Sequence, residues 1–167
     1  VVGLYDIINE RNMTAPRLYD MRSRIVNQGR SVAGILEPDG KFHLMSLEDG
    51  KILATENLEG EGAARSFMLF EDKFGYYVIT QSAARISRTV MPSTIPGCRS
   101  QLIHAGHVHA FNREGRRRWA SPVKISNECF LTDQPANLPV LVFASNRTAG
   151  RQDRRTAFSS TLRCIDK

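Results

Sequence analysis

Leu44-Met45-Ser46-Leu47-Glu48-Asp49-Gly50-Lys51-Ile52-Leu53 is the stretch on which the reading of the whole chain turns. An apolar run meets an acidic turn, the turn ends in glycine, and a second short apolar run follows. The pattern returns in Val108-His109-Ala110-Phe111-Asn112-Arg113-Glu114-Gly115 with Arg116-Arg117-Arg118-Trp119. It opens a third time in Leu162-Arg163-Cys164-Ile165-Asp166-Lys167. Self-similarity of one supersecondary unit marks a repeat architecture, here expected to break off within its third copy. Asp-Gly between two short runs is a strong hairpin signal, because glycine supplies positive φ without steric cost. The unit is therefore an antiparallel hairpin, and the fold class is expected to be all-β.

Working outward, strands are expected at 32–36, 41–47 and 51–58, joined by turns at Pro38-Asp39-Gly40 and Glu48-Asp49-Gly50. Further strands are expected at 66–70 and 76–81, then at 106–111, 117–124, 128–131, 140–145 and 157–165. Residues 83–100 and 146–156 interrupt this rhythm with arginine, proline and glycine, and read as long loops or insertions. Residues 1–31 form a separate N-terminal segment, in which Leu18, Met21 and Ile25 fall at helical spacing with Gly29 as a stop. One short helix is expected there, its apolar stripe packed on the neighbouring sheet. Residues 32–167 form the repeat region.

The segment from Val108 to Trp119 resembles the tryptophan-docking motif of quinoprotein-like β-propellers, related in form to WD40-like repeats. Gly115, Arg116 and Trp119 keep the spacing of that family's glycine, lysine and tryptophan, with arginine in the lysine position and a turn one residue shorter. In the first copy Gly50 and Lys51 match while Ala54 stands in the tryptophan position; in the third, Leu162, Cys164, Ile165 and Asp166 match. The resemblance covers roughly residues 32–167. It implies four-stranded antiparallel blades, about two to three of them, in an incomplete ring that further blades or other copies would close. A docked aromatic ring explains Trp119 as a structural residue.

Composition bounds the rest. With 41% hydrophobic and 24% charged residues over 167 positions, the chain is globular in character. No apolar run approaches the roughly 18 residues of a membrane-spanning helix. The sequence opens on Val1 without the basic-then-apolar pattern of a signal peptide, as expected of a piece of a longer protein. Cys98, Cys129 and Cys164 are too far apart for a paired zinc motif and odd in number, and are read as packing residues. The net charge of +6 is unevenly placed: nine acids fall between Glu37 and Asp72, whereas eight arginines fall between Arg113 and Arg155. Such asymmetry can steer an anionic partner, and solvated hairpin faces account for it equally.

Three groups of residues bear on chemistry. His107 and His109 would point to one face of a strand, with His104 reaching in from the preceding loop, as ligands of a zinc or copper site could. No further ligand lies nearby in sequence, so surface or core histidines are the favoured reading. Arg147, Arg151, Arg154 and Arg155 could bind an anion. Arg116, Arg117 and Arg118 alternate in direction along a hairpin and make no continuous patch, so nucleic acid is disfavoured. No phosphate loop, nucleophile elbow or zinc-protease pattern is present.

The expected function is that of a non-catalytic propeller module, a scaffold that binds a protein partner through the loops at 83–100 and 146–156 and needs no cofactor. The resemblance implies a bacterial envelope or periplasmic setting. It also implies an alternative, part of a pyrroloquinoline-quinone-dependent dehydrogenase. A further alternative is an anion- or nucleic-acid-binding surface.

Overall fold

The computed structural model describes residues 5–6, 11–12, 23–26, 31–58, 64–82, 103–132, 134–135, 137–148 and 158–167. All regular elements among these residues are strands. Two short N-terminal strands, β1 (Tyr5–Asp6) and β2 (Arg11–Asn12), pair with each other. A four-stranded antiparallel meander follows in the order β3 (Arg24–Val26), β4 (Val32–Leu36), β5 (Lys41–Ser46) and β6 (Ile52–Asn57). The remainder is one six-stranded antiparallel meander: β7 (Ala64–Asp72), β8 (Gly75–Ser82), β9 (Ile103–Phe111), β10 (Val123–Phe130), β11 (Val140–Thr148) and β12 (Phe158–Asp166).

The all-β, antiparallel expectation is met, and its finer division is not. Among the described residues, four strands in one sheet occur once, in β3–β6, whereas β7–β12 form one six-stranded sheet. Of the helix expected in the N-terminal segment, only the last apolar residue is among the described residues. Ile25, the last residue of the supposed helical stripe, lies in β3 opposite Ile35 of β4; Leu18 and Met21 fall outside the described residues. A β-branched residue beside a formed strand finds its partners by pairing, which outweighs a weak helical periodicity. The strand expected at 117–124 begins only at Val123. Pro122 has no N–H to give a ladder, and Arg117 makes a single isolated bridge to Phe111. The stretches expected at 117–124 and 128–131 become one strand, with a bulge between Ser126 and Glu128. Asn146, Arg147 and Thr148, expected to open an insertion, continue β11 opposite Ser160, Ser159 and Phe158. The insertion expected at 83–100 lies outside the described residues.

Turn chemistry behaves as read. Gly40, Gly50 and Gly115 have φ of 90°, 68° and 79°, a region in which any side chain is strained. At Gly115 a second constraint applies: a Cβ there would lie 2.4 Å from the carbonyl oxygen of Leu53 in β6. The repeat glycine is thus a point where the β9–β10 turn touches the other sheet.

Two apolar clusters hold the sheets. The first lies between them, with Val32, Leu36, Phe42 and Leu44 on one side and Phe67, Leu69, Tyr76, Val78 and Phe111 on the other. Gly34 makes room for it: the Phe67 ring occupies the space its Cβ would need and meets Phe42 edge-on at 5.3 Å. The second cluster, including Tyr77, Ile79, Val108, Ile125, Phe143 and Ile165, takes its buried members from β8 to β12, with Met68 and Phe70 of β7 packed against it. A sheet can bury one of its own faces in this way only by coiling. Phe70 of β7 and Phe130 of β10 show the coil directly, with ring centroids 5.2 Å apart although β8 and β9 lie between their strands. In a flat sheet at about 4.8 Å per strand they would be roughly 14 Å apart.

Candidate functional site

The coil leaves an open side along β7, which pairs only with β8 among the described residues. A groove of about 730 Å³ runs there, floored by Met68, Leu69 and Phe70 and walled by Phe130, Thr132 and Gln134 after β10. The far wall is held in place by Gln134, whose Nε2 donates to the Leu131 carbonyl at 2.7 Å and whose Oε1 accepts from Val142 N–H at 3.0 Å. One amide thereby fixes the loop between β10 and β11 against β11.

The near end of the groove carries charge. Glu71 accepts from the Ser31 N–H at 3.0 Å and the Ser31 hydroxyl at 2.6 Å, and pairs with Arg113 at 2.5 Å. Arg113 also donates to the Asp72 carbonyl and lies over the Tyr76 ring at 5.1 Å. Burial on its own would raise the Glu71 pKa, yet the two Ser31 bonds and the Arg113 guanidinium bring it below the usual carboxylate value. This carboxylate therefore joins the start of β4 to β7 and to the β9–β10 turn. Arg117 adds a second tie, pairing with Glu56 of β6 at 2.6 Å. Asp72 closes the turn into β8, its Oδ1 accepting from Phe74 N–H at 2.7 Å and Gly75 N–H at 3.2 Å.

The histidine group is only partly assembled. His107 and His109 do share a face of β9, with ring centroids 6.4 Å apart. His104 belongs to β9 itself, opposite Glu128, rather than to a loop before it. Among the described residues no group of three or more His, Cys, Asp or Glu is placed to hold a metal ion. His109 is 6% exposed, its Nε2 has no hydrogen-bond partner, and its pKa is pushed down to about 4 by burial, then by His107 and Arg117. It faces a void of about 10 Å³ bounded by Arg117, Trp119, Ser121 and Pro122, about the space of one water molecule. A neutral core histidine fits this setting.

The repeat residues are structural in their contacts. Trp119 is half-buried against Tyr77, centroids 6.2 Å apart, so it docks within its own sheet and not on a neighbouring one. Arg116 N–H and Glu114 N–H both donate to the Asn112 side chain, shaping the turn. Lys51 is exposed and pairs with Asp49 across the Gly50 turn at 2.7 Å, and Asp166 stands opposite Val140 at the end of β12. Arg118 donates to the Tyr77 hydroxyl at 3.0 Å. In the candidate anion group, Arg147 sits in β11, and Arg151, Arg154 and Arg155 lie outside the described residues. Cys129 is partly buried, Cys164 is exposed, not packed as expected, and Cys98 falls outside the described residues.

Sequence reading missed the groove and the carboxylate network. Glu71-Asp72-Lys73-Phe74-Gly75 was legible as a hairpin connection, since aspartate three residues before glycine is a turn signal. Nothing in the sequence links Glu71 to Ser31 or Arg113, 40 and 42 residues away. Among the described residues no helix is long and apolar enough to cross a membrane. No family model matches this chain, and neither does any curated protein or solved structure.

Proposed function

We propose that the chain is a non-catalytic binding module that takes an extended segment of a protein partner into the groove along β7. The observation that carries this reading is the combination of a nine-residue strand at the sheet edge with a groove of about 730 Å³ beside it. An edge strand presents unpaired N–H and C=O groups, and an added peptide strand takes its affinity from them. Alternate side chains of such a peptide would turn toward Met68 and Phe70, and that alternation supplies specificity. The volume lies within the range of about 300–1,000 Å³ usual for ligand sites. The charged groups at its end support this role over a chemical one, because Glu71 and Arg113 are spent on one another and on Ser31.

The propeller form of the proposal draws on the β3–β6 meander, which has the strand number and order of a blade. The coiled six-stranded sheet does not add to it. The binding reading stands without the propeller, since it needs only the edge of β7.

Selection from a random peptide library, followed by hydrogen exchange on the complex, tests the reading. Selected peptides are expected to be extended, to slow exchange at Met68–Phe70, and to lose binding when Met68→Glu puts a charge on the groove floor. Peptides that bind elsewhere, or that protect no part of β7, would refute it.

A further inference from the structure

At the point where the two ends of the coiled sheet approach, the side chain of Lys167 enters an aromatic box. Its ammonium lies 5.4 Å from the ring centre of Phe70, 5.7 Å from Phe74 and 5.9 Å from Tyr77. The fourth wall is the Asp72 carboxylate, whose Oδ2 pairs with Nζ. Both groups are sealed from solvent, the lysine side chain 1% exposed and the aspartate fully buried. Neither Nζ nor Oδ2 has a further hydrogen-bond partner.

The box is built from two elements. Asp72 Oδ1 is occupied by the Phe74 and Gly75 N–H groups of its own turn, which leaves Oδ2 turned outward as a lone acceptor. Tyr77 points its hydroxyl at Arg118, so its ring and not its oxygen meets the cation. Burial, and after it the Asp72 charge, pushes the Tyr77 phenol up to about 12, so this wall stays neutral. The backbone of Lys167 is set independently, its N–H donating to the Pro139 carbonyl at 3.0 Å and its carbonyl accepting from Arg118 at 2.9 Å. A cation that meets one carboxylate oxygen and otherwise only ring faces is held by charge and quadrupole, not by a set of directed hydrogen bonds. Substituting methyl groups for its unbonded hydrogens removes nothing that the box recognises.

We infer that Phe70, Asp72, Phe74 and Tyr77 form a binding site for alkylammonium groups, plain or N-methylated, which Lys167 fills from within the chain. The site is independent of the groove reading, although Phe70 and Asp72 also line the groove. Its consequence is that the coiled sheet is latched by a ligand-type contact and that an external ammonium can stand in for the latch.

Lys167→Ala removes the three methylenes and the ammonium beyond Cβ, the outline of a propylammonium ion. The variant is expected to melt at a lower temperature. Propylammonium and its N,N-dimethyl homologue, which keeps one N–H for Asp72, should each recover at least half of the lost Tm at matched ionic strength, while propanol and sodium ion recover none. Adding Asp72→Asn, which keeps the turn acceptor and deletes the charge, should abolish the recovery. Equal rescue by propanol would show an apolar hole and overturn the proposal, as would an undiminished response with Asp72→Asn. Should Lys167→Ala fail to fold, the wild-type protein decides the matter. Lys167 Hε protons shifted upfield by the rings support the box, and random-coil shifts refute it.

Discussion

Protonating His109 costs the folded protein what protonating it in the open chain does not. Its imidazole is 6% exposed, its Nε2 meets no acceptor, and Arg117 and His107 both oppose a positive charge there. The folded pKa is pushed down from 6.5 to about 4. Below pH 6.5 the unfolded chain binds this proton and the folded chain does not, so stability falls as pH drops. The fall continues until the folded pKa is passed, near pH 4. A folded value of about 4 against 6.5 in the open chain, at about 1.4 kcal/mol per pH unit, gives a contribution of roughly 3 kcal/mol, fully present above pH 6.5 and lost by pH 4. Carboxylates such as Glu71 also lose their pairing in acid, so the wild-type curve alone does not isolate the histidine. Comparison with His109→Gln does, because the shared carboxylate contribution cancels. The assay is urea unfolding followed through Trp119, the only tryptophan, with circular dichroism as a second probe, at intervals from pH 7.5 to 4. The stability difference between variant and wild type should shift by roughly 3 kcal/mol in the variant's favour as pH falls across that window. A difference that stays flat with pH would show that His109 titrates alike in both states, and the account of its environment would be wrong.

Three other outcomes follow from the contacts. Glu71→Gln keeps an acceptor for Ser31 but strands the Arg113 charge, and should cost roughly 1–3 kcal/mol in urea unfolding at pH 7. Because the Glu71 pKa is lowered, its contribution is full above about pH 4.5 and fades as pH falls, so the variant's deficit should shrink in acid. Gly115→Ala combines a φ of 79° with a Cβ placed 2.4 Å from the Leu53 carbonyl, and should destabilise by at least about 2 kcal/mol, read as a drop in Tm. Phe130→Ala removes the ring that bridges Phe70 and Phe143 across the coil, and should cost about 3–5 kcal/mol, measured by chemical denaturation.

The part of this structure that the sequence made legible is the part that depends on neighbours in the chain. Asp39-Gly40 and Asp49-Gly50 need only a local acceptor and a residue free to take positive φ, and both turns form where they were read. The run 32–36 is all apolar or glycine and became a strand buried on both faces, with the same limits as expected. Where the reading failed, the deciding partner was remote. Ile25 is a strand residue because Ile35 lies opposite it, and 146–148 remain in β11 because 158–160 supply the ladder. Strand count per sheet is a property of the same kind. Residues that alternate between two faces give the same pattern whether the sheet ends after four strands or runs on to six.

Coiling is the property that turns these strands into a site, and it is the least local of all. Phe70 and Phe130 are ordinary strand aromatics until the sheet bends enough to bring them within 5.2 Å, and only then do they bound a groove. Lys167 and Asp72 stand 95 positions apart in sequence and meet because the same bend returns the last strand toward the first of its sheet. Trp119 also takes its ring contact from a strand of the coiled sheet. The ring does dock on an aromatic partner, but that partner is Tyr77 of the same sheet, where it braces the β8 side of the ammonium box. A single curvature therefore makes both the groove and the box. A change that flattened the sheet would be expected to abolish groove and box together, even with every lining residue left intact.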